Sequence, residues 1–237
     1  LIIVSKHRNW VYVLGLILFF GGLVGVSKLK TTGNIVDDIP KDGVLYQDLL
    51  FFEKHFNGVM PFEITIDTKK PRGVLQLSTI QKIERLQKEL QQYPELSRPL
   101  SLTEVVKFSK QAFYNGDEKK YALPNNQEKN FILAYMPKID SGNQNTLNSF
   151  VDNEMQITRV TVQMANIGTT EIEKLKEDLQ PKIDKIFNPE KFDVNLTGTS
   201  VVFLEGTKYL VKNLLQSLLL ALVVISLLMA LLFTSAR

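Results

Sequence analysis

The chain has no cysteine, which excludes a disulfide framework and a thiolate metal site. It has only two histidines, His7 and His55, set far apart, so a histidine metal pair is excluded as an organising feature. There is no glycine-rich phosphate loop and no nucleophile elbow. A formal charge of +3 spread over 237 residues of mixed sign is too small to point to nucleic acid, and no basic stripe is interleaved with aromatics. Glu63 and Asp67, a candidate carboxylate pair, alternate along one predicted strand and read as its wet side. The expectation is a protein that is not an enzyme, with no catalytic residues, no cofactor and no metal.

What the chain does have is concentrated at its ends. "WVYVLGLILFFGGLVGV", from Trp10 to Val26, is an uninterrupted apolar run, and Leu214 to Phe233 supplies about the 20 residues that a bilayer core requires. Neither run contains a charge, so both are predicted to be transmembrane helices. The first run also has the look of a signal peptide, with "SKHR" as a basic leader, but the chain starts at Leu1 as if cut from something longer, and an internal segment is not a signal peptide. Lys6, His7 and Arg8 before the first run and Arg237 after the second place both termini in the cytoplasm, and the long middle outside, despite Lys28, Lys30, Lys208 and Lys212 on the outer side. Gly21 and Gly25 form a GxxxG spacing that suits either helix packing or plain lipid-compatible composition.

The middle reads as a water-soluble domain. "VLYQDLLFFEKHF" puts Leu45, Leu49, Phe52 and Phe56 on one helical face, with Gly58 as the stop. "PFEITID" alternates Phe62, Ile64 and Ile66 against Glu63, Thr65 and Asp67, the pattern of a half-buried strand. Capping boxes are predicted at Ser78/Gln81, Ser101/Glu104 and Thr170/Glu173, each opening a helix, with Gly116 ending the second and Pro181 bending or splitting the third. "NFILAYMP", "MQITRVTVQMA" and "FDVNLTG" are predicted strands, and the polar stretch between the first two holds a short helix or a functional loop. Strand, helices, strand, strand, helix, strand is the order of an α+β, ferredoxin-like split βαβ sandwich. Such a fold hosts many functions. Phe51, Phe52 and Phe56 are candidates for an apolar substrate path, although aromatics at helical spacing more often belong to a core.

With these elements in place, "TTGNIVDDIPKD", "DLLFFEKHFNGVMPFEITID" and "LTGTSVVFLEGTKYLVKNLLQSLLLALVVISLLMALLFTSAR" resemble a half-transporter segment of the resistance-nodulation-division (RND) superfamily, nearest to MMPL-type and hopanoid-exporter-like proteins and more distantly to Patched. The residues that carry the resemblance are Asp38 and Pro40 of D-x-P, Phe56, Gly58, Pro61, Glu63 and Ile64 of F-x-G-x-x-P-x-E-I, Gly198 of T-G-T-S, and Leu232, Phe233 and Ser235 of L-F-x-S. The resemblance implies a porter domain between two membrane helices, which captures or conducts hydrophobic or amphiphilic substrates as the helices rock. In that family, proton coupling rests on carboxylates in the fourth helix of a half, a part this chain does not contain, so no coupling residue carries over.

The resulting expectation is a cytoplasmic stub at 1–9, a transmembrane helix at 10–28, a connecting segment with an amphipathic helix at 29–60, and a periplasmic porter domain at 61–198. A helical lead-in at 199–213 and a second transmembrane helix at 214–234 follow. The expected setting is the bacterial inner membrane. Expected partners are membrane lipids, a hydrophobic or amphiphilic substrate, the remaining transmembrane helices of a parent transporter, and further copies as an option for a homo-oligomer, with no nucleic acid. Readings from other classes are a two-span receptor with an outer ligand-sensing domain, which predicts coiled-coil heptads after Arg237, and a membrane-anchored scaffold or regulator.

Overall fold

The computed structural model describes residues 8–27, 39–56, 58–135 and 146–233. Asp38, Ser235 and the flanking charges Lys6, His7, Lys28, Lys30 and Arg237 lie outside the described residues, as does Pro137. The chain divides into two units, 1–32 and 33–237. In the first, helix α1 (Arg8–Ser27) covers the predicted apolar run, and its described apolar stretch extends from Tyr12 to Gly22. A Cβ added at Gly21, Gly22 or Gly25 would meet nothing within 4 Å, so no contact within the described residues requires these glycines.

The second unit begins with α2 (Val44–Phe56) and β1 (Met60–Asp67). Helix α3 (Leu77–Leu90), α4 (Leu102–Phe113) and α5 (Lys129–Tyr135) follow, then β2 (Ile157–Met164), α6 (Thr169–Ile186), β3 (Asp193–Thr197) and α7 (Thr199–Phe233). The architecture is therefore α+β. The sheet is antiparallel with order β2-β1-β3, and Ile64 sits opposite Val160 on one side and Leu196 on the other.

The alternation read from the sequence sets the two faces of this sheet. Phe62, Ile64 and Ile66 are fully buried, together with Val160, Val162 and Met164 from β2. They pack under Ile83, Leu86 and Leu90 of α3, Ile172, Leu175, Leu179 and Ile183 of α6, and Val201 and Leu204 from the first turns of α7. Removing side chains of this size from water contributes about 1.5–3 kcal/mol each, so this layer dominates the stability of the unit. A second, smaller cluster gathers Val74, Ile80, Leu102, Val106, Ile132, Leu147 and Val151 around α4 and α5.

Three strands form among the described residues, where the ferredoxin-like reading expects four. "NFILAY" is helix α5, not a strand, with Ile132 buried in the second cluster and Phe131 exposed. The place beside β2 that another strand would occupy is already taken. Leu100 exchanges both backbone hydrogen bonds with Thr161 at 2.8 and 2.9 Å, and Ser97 N–H donates to Gln163 O at 2.7 Å. Farther along, Arg159 N–H donates to Phe150 O at 3.0 Å. Pro94 and Pro99 keep the 95–100 segment from reading or pairing as a regular strand.

Helix ends show which local signals survive packing. Ser101 caps α4, its hydroxyl accepting from Thr103 N–H at 3.1 Å, but the Glu104 carboxylate turns to Arg98 and Tyr121 instead of back to the cap. Asn115 (φ 57°) takes the left-handed position after the Tyr114 cap and Gly116 (φ 84°) follows it, its N–H donating to Gln111 O, so the two together end that helix. The Ser78 box does not form, because α3 already begins at Leu77. Helix α6 starts one residue before Thr170, and Glu171, not Glu173, reaches back to Gly168 N–H at 2.9 Å. Pro181 neither splits nor ends α6, since Leu179 and Ile183 on either side of it are both held in the core. Of the polar stretch 138–154, residues 146–149 form a short 3-10 turn and 138–145 lie outside the described residues.

Helix α7 is continuous over 35 residues. Its first turns are core, with Ser200 fully buried, whereas from Leu214 to Leu232 every side chain is exposed. Among the described residues it alone is long and apolar enough to cross a membrane.

Candidate functional site

Of the residues singled out by spacing, Gly58, Pro61, Glu63 and Gly198 meet at one end of β1. Gly58 lies against the backbone of Met164, where a Cβ would come within 2.5 Å of the carbonyl carbon, and its φ of 143° is open only to glycine at low strain. Val59 N–H donates to Met164 O at 3.1 Å. On the other side of β1, Gly198 (φ 98°) packs on the same strand, where a Cβ would sit 2.6 Å from Pro61 O and 3.0 Å from Glu63 N. Two residues on, the Ser200 hydroxyl donates to Pro61 O at 2.8 Å. Gly58, Pro61 and Gly198 thus form a close-packed backbone junction where α2 enters the sheet and α7 leaves it. Ser200, Val201 and Leu204 belong to this junction and were not singled out by the sequence reading, although the quoted T-G-T-S contains the serine.

Glu63 flanks the junction on the outer face, paired with Arg159 at 3.6 Å. Asp67 accepts from Lys69 N–H at 2.7 Å and from Gln156 Nε2 at 2.9 Å, so the two carboxylates are engaged separately and form no acid-base pair. Pro40 is exposed and its carbonyl accepts from Gly43 N–H at 3.0 Å, opening the turn into α2. Phe233 is the last residue of α7.

Beside the junction runs an apolar groove of about 380 Å³, lined by Leu49, Phe52 and Phe56 of α2, by Gly58 and Val59, and by Gln163 of β2. Phe52 and Phe56 are in ring contact at 5.3 Å along this wall. Phe51 does not line the groove; its ring packs on His55 at 4.4 Å and meets Phe52 edge-on at 6.0 Å. No residue of α2 is buried, and a hydrogen bond from Asn166 N–H to the Glu53 carboxylate at 3.2 Å ties it to the end of β2.

The ionisable clusters elsewhere are structural staples. Lys110, itself buried, donates to Glu128 at 2.7 Å, and Tyr114 and Asn125 N–H donate to the same carboxylate. The bond from Lys110, followed by that from Asn125 N–H, holds the Glu128 carboxyl down at about 2. On α6, Lys182 donates to Tyr93 and Asp178, and those bonds raise its pKa above the ordinary lysine value. Among the described residues, no group of three or more His, Asp or Glu side chains is arranged to hold a metal ion.

No curated protein matches the chain. The sequence model of the MMPL family matches residues 65–237, from the second half of β1 through the whole of α7. That is well over half of the chain, and it takes in Gly198, Ser200 and the apolar helix that follows them. The chain belongs to the MMPL family.

Proposed function

We propose that this chain is the porter region of a proton-driven exporter of lipids or hydrophobic compounds, set in a bacterial inner membrane with the sheet unit on the periplasmic side. Family membership and the apolar helix make it a membrane protein and a region of an RND-type transporter. The observation that carries the finer reading is α7. One unbroken helix is buried at its start in the sheet core and fully exposed through its apolar remainder, so tilting the membrane part moves the sheet with it. Two ion pairs between α6 and α7, Lys176 with Glu205 at 2.7 Å and Lys208 with Glu173, brace the same joint.

In this reading α1 is the other membrane anchor, and the 95–100 segment stands where a ferredoxin-like sandwich has its outer strand. Phe52 and Phe56, with Leu49, form one wall of an apolar path, while Phe51 lies off it. The residues that use the proton gradient belong to further membrane helices, because an ionisable group within the bilayer is the usual sign of such machinery and neither apolar run here carries one. The test is reconstitution of the complete parent protein in proteoliposomes with a fluorescent phospholipid and an imposed proton gradient. Movement of the lipid that a protonophore abolishes supports the proposal. Movement indifferent to the gradient, or none above empty vesicles, removes it.

A further inference from the structure

The apolar groove contains one polar side chain whose bonding capacity is unused. Along β2, Val160, Val162 and Met164 are buried beneath the helices, so Arg159, Thr161 and Gln163 face the other way. Of these only Gln163 lines the groove, where it meets Phe52, Phe56 and Val59. Its backbone is engaged on both sides: the N–H donates to the Ser97 hydroxyl at 2.8 Å, and the carbonyl accepts from Ser97 N–H at 2.7 Å. Its side-chain amide makes no hydrogen bond to any described residue. The groove therefore offers one amide, donor and acceptor together, set against hydrocarbon.

The surrounding charges narrow what fits that amide. Among the described residues that line the groove, none is charged. At about 100° of turn per residue, α2 sets Glu53 next to the face of Leu49, Phe52 and Phe56, with Lys54 about opposite. Asn166 N–H holds the Glu53 carboxylate there at 3.2 Å. An anionic head in the groove would lose water, gain no counter-charge and meet that carboxylate. A cationic head would find only a carboxylate that is already hydrogen-bonded. An uncharged head needs a single hydrogen bond, which the amide supplies. The volume of about 380 Å³ lies near the lower end of ligand sites, roughly 300–1,000 Å³, and suits one chain better than two.

We propose that the groove binds a single-chain amphiphile with an uncharged, hydrogen-bonding head, an alcohol or an ester. Its chain lies along Leu49, Phe52, Phe56 and Val59, and its head bonds to the Gln163 amide. Gln163 is then the residue that sets head-group preference. This occupant rests on reading the groove as part of the substrate path, and it names the class of molecule that path admits.

The test is photolabelling of the full chain in phosphatidylcholine nanodiscs with decanol, decyl sulfate and decyltrimethylammonium. Each probe carries a diazirine beside its head and is used at the same free concentration, below micelle formation. Peptide mass spectrometry reads the labelled residues. Decanol should label Phe52, Phe56, Val59 or Gln163 roughly fivefold or more over either charged probe, as the burial of an unpaired charge requires. Gln163 is half-buried on the outer face, so replacing it leaves the sheet core intact. Gln163→Lys should raise the decyl sulfate label, and Gln163→Glu the decyltrimethylammonium label, each by about tenfold. A merely structural glutamine would not give these opposite swings. Decyl sulfate labelling equal to that of decanol, no groove label with any probe, or charge variants that leave the ranking unchanged overturns the proposal. Labelling that persists while the proteoliposome assay fails supports this occupant and removes the transport reading alone. Gradient-driven lipid movement with an unlabelled groove removes this occupant alone.

Discussion

Gly198 and Gly206 are both glycines of the segment that joins the sheet to the membrane helix, and the structure predicts opposite signs for the same substitution. At Gly198 an added methyl would lie 2.6 Å from Pro61 O and 3.2 Å from Phe62 Cα, and the residue would have to hold φ at 98°. Holding a non-glycine residue in such a conformation costs about 1–3 kcal/mol, and relieving the overlap by backbone shift adds about 1–3 kcal/mol. The Ser200–Pro61 hydrogen bond sits on the same carbonyl and would be strained with it. Gly198→Ala should therefore destabilise the sheet unit by about 2–6 kcal/mol. At Gly206 the methyl would meet nothing within 4 Å inside helix α7, so Gly206→Ala should stabilise by about 0.5–1 kcal/mol through helix propensity alone. Pulse proteolysis across a urea series, with the chain in detergent, reads opening of the sheet unit without requiring the membrane helix to melt. With urea slopes of about 1–3 kcal/mol/M, the midpoint of Gly198→Ala should fall by roughly 1–3 M, while that of Gly206→Ala should stay level or rise. A Gly198→Ala midpoint indistinguishable from the parent, or an equal fall for both variants, would refute the junction as described.

The sheet predicts a second contrast. Ile64→Asp places an unpaired charge in a fully buried site and should abolish the cooperative transition, a loss of at least about 4 kcal/mol, whereas Glu63→Lys loses only the half-exposed pair with Arg159 and should cost less than about 1 kcal/mol; the same urea series separates them. The Glu128 carboxyl is depressed in the folded chain, so the stability it contributes is fully present above its ordinary value of 4.5 and is lost as pH falls through about 2. Hydrogen exchange or urea midpoints between pH 5 and pH 2 should show α4 and α5 loosening in the parent and a flatter profile in Glu128→Gln. A self-folding piece should run from about residue 58 to residue 206, not from 61 to 198, because Ser200, Val201 and Leu204 are core; circular dichroism of the two pieces should give a cooperative melt only for the longer one.

Some of this protein was fixed by the residues alone, because the determining interactions are local or compositional. Twenty charge-free residues from Leu214 give a membrane-compatible helix in any context, and the alternation of Phe62, Ile64 and Ile66 names the buried face of β1 without reference to its partners. The Ser101 cap and the helix stop at Gly116 depend only on neighbouring backbone groups, and both formed, the stop with Asn115 sharing the left-handed turn. Where the outcome depended on distant chain, local signals failed. "NFILAY" has the composition of a strand, but the edge of β2 was already occupied by residues 95–100 and 150, so it coiled into the second core as α5. Pro181 breaks a helix by local rules, yet burial of Leu179 and Ile183 kept α6 whole. Gly198 and Gly206 are alike as letters, and only the sheet packed against the first makes it indispensable. The three phenylalanines of α2 share a helix, but the position of Val59 and Gln163 decides which two line a groove and leaves Phe51 facing out. Close approach, edge pairing and groove lining are relations between segments far apart in sequence, and they are settled when the chain packs.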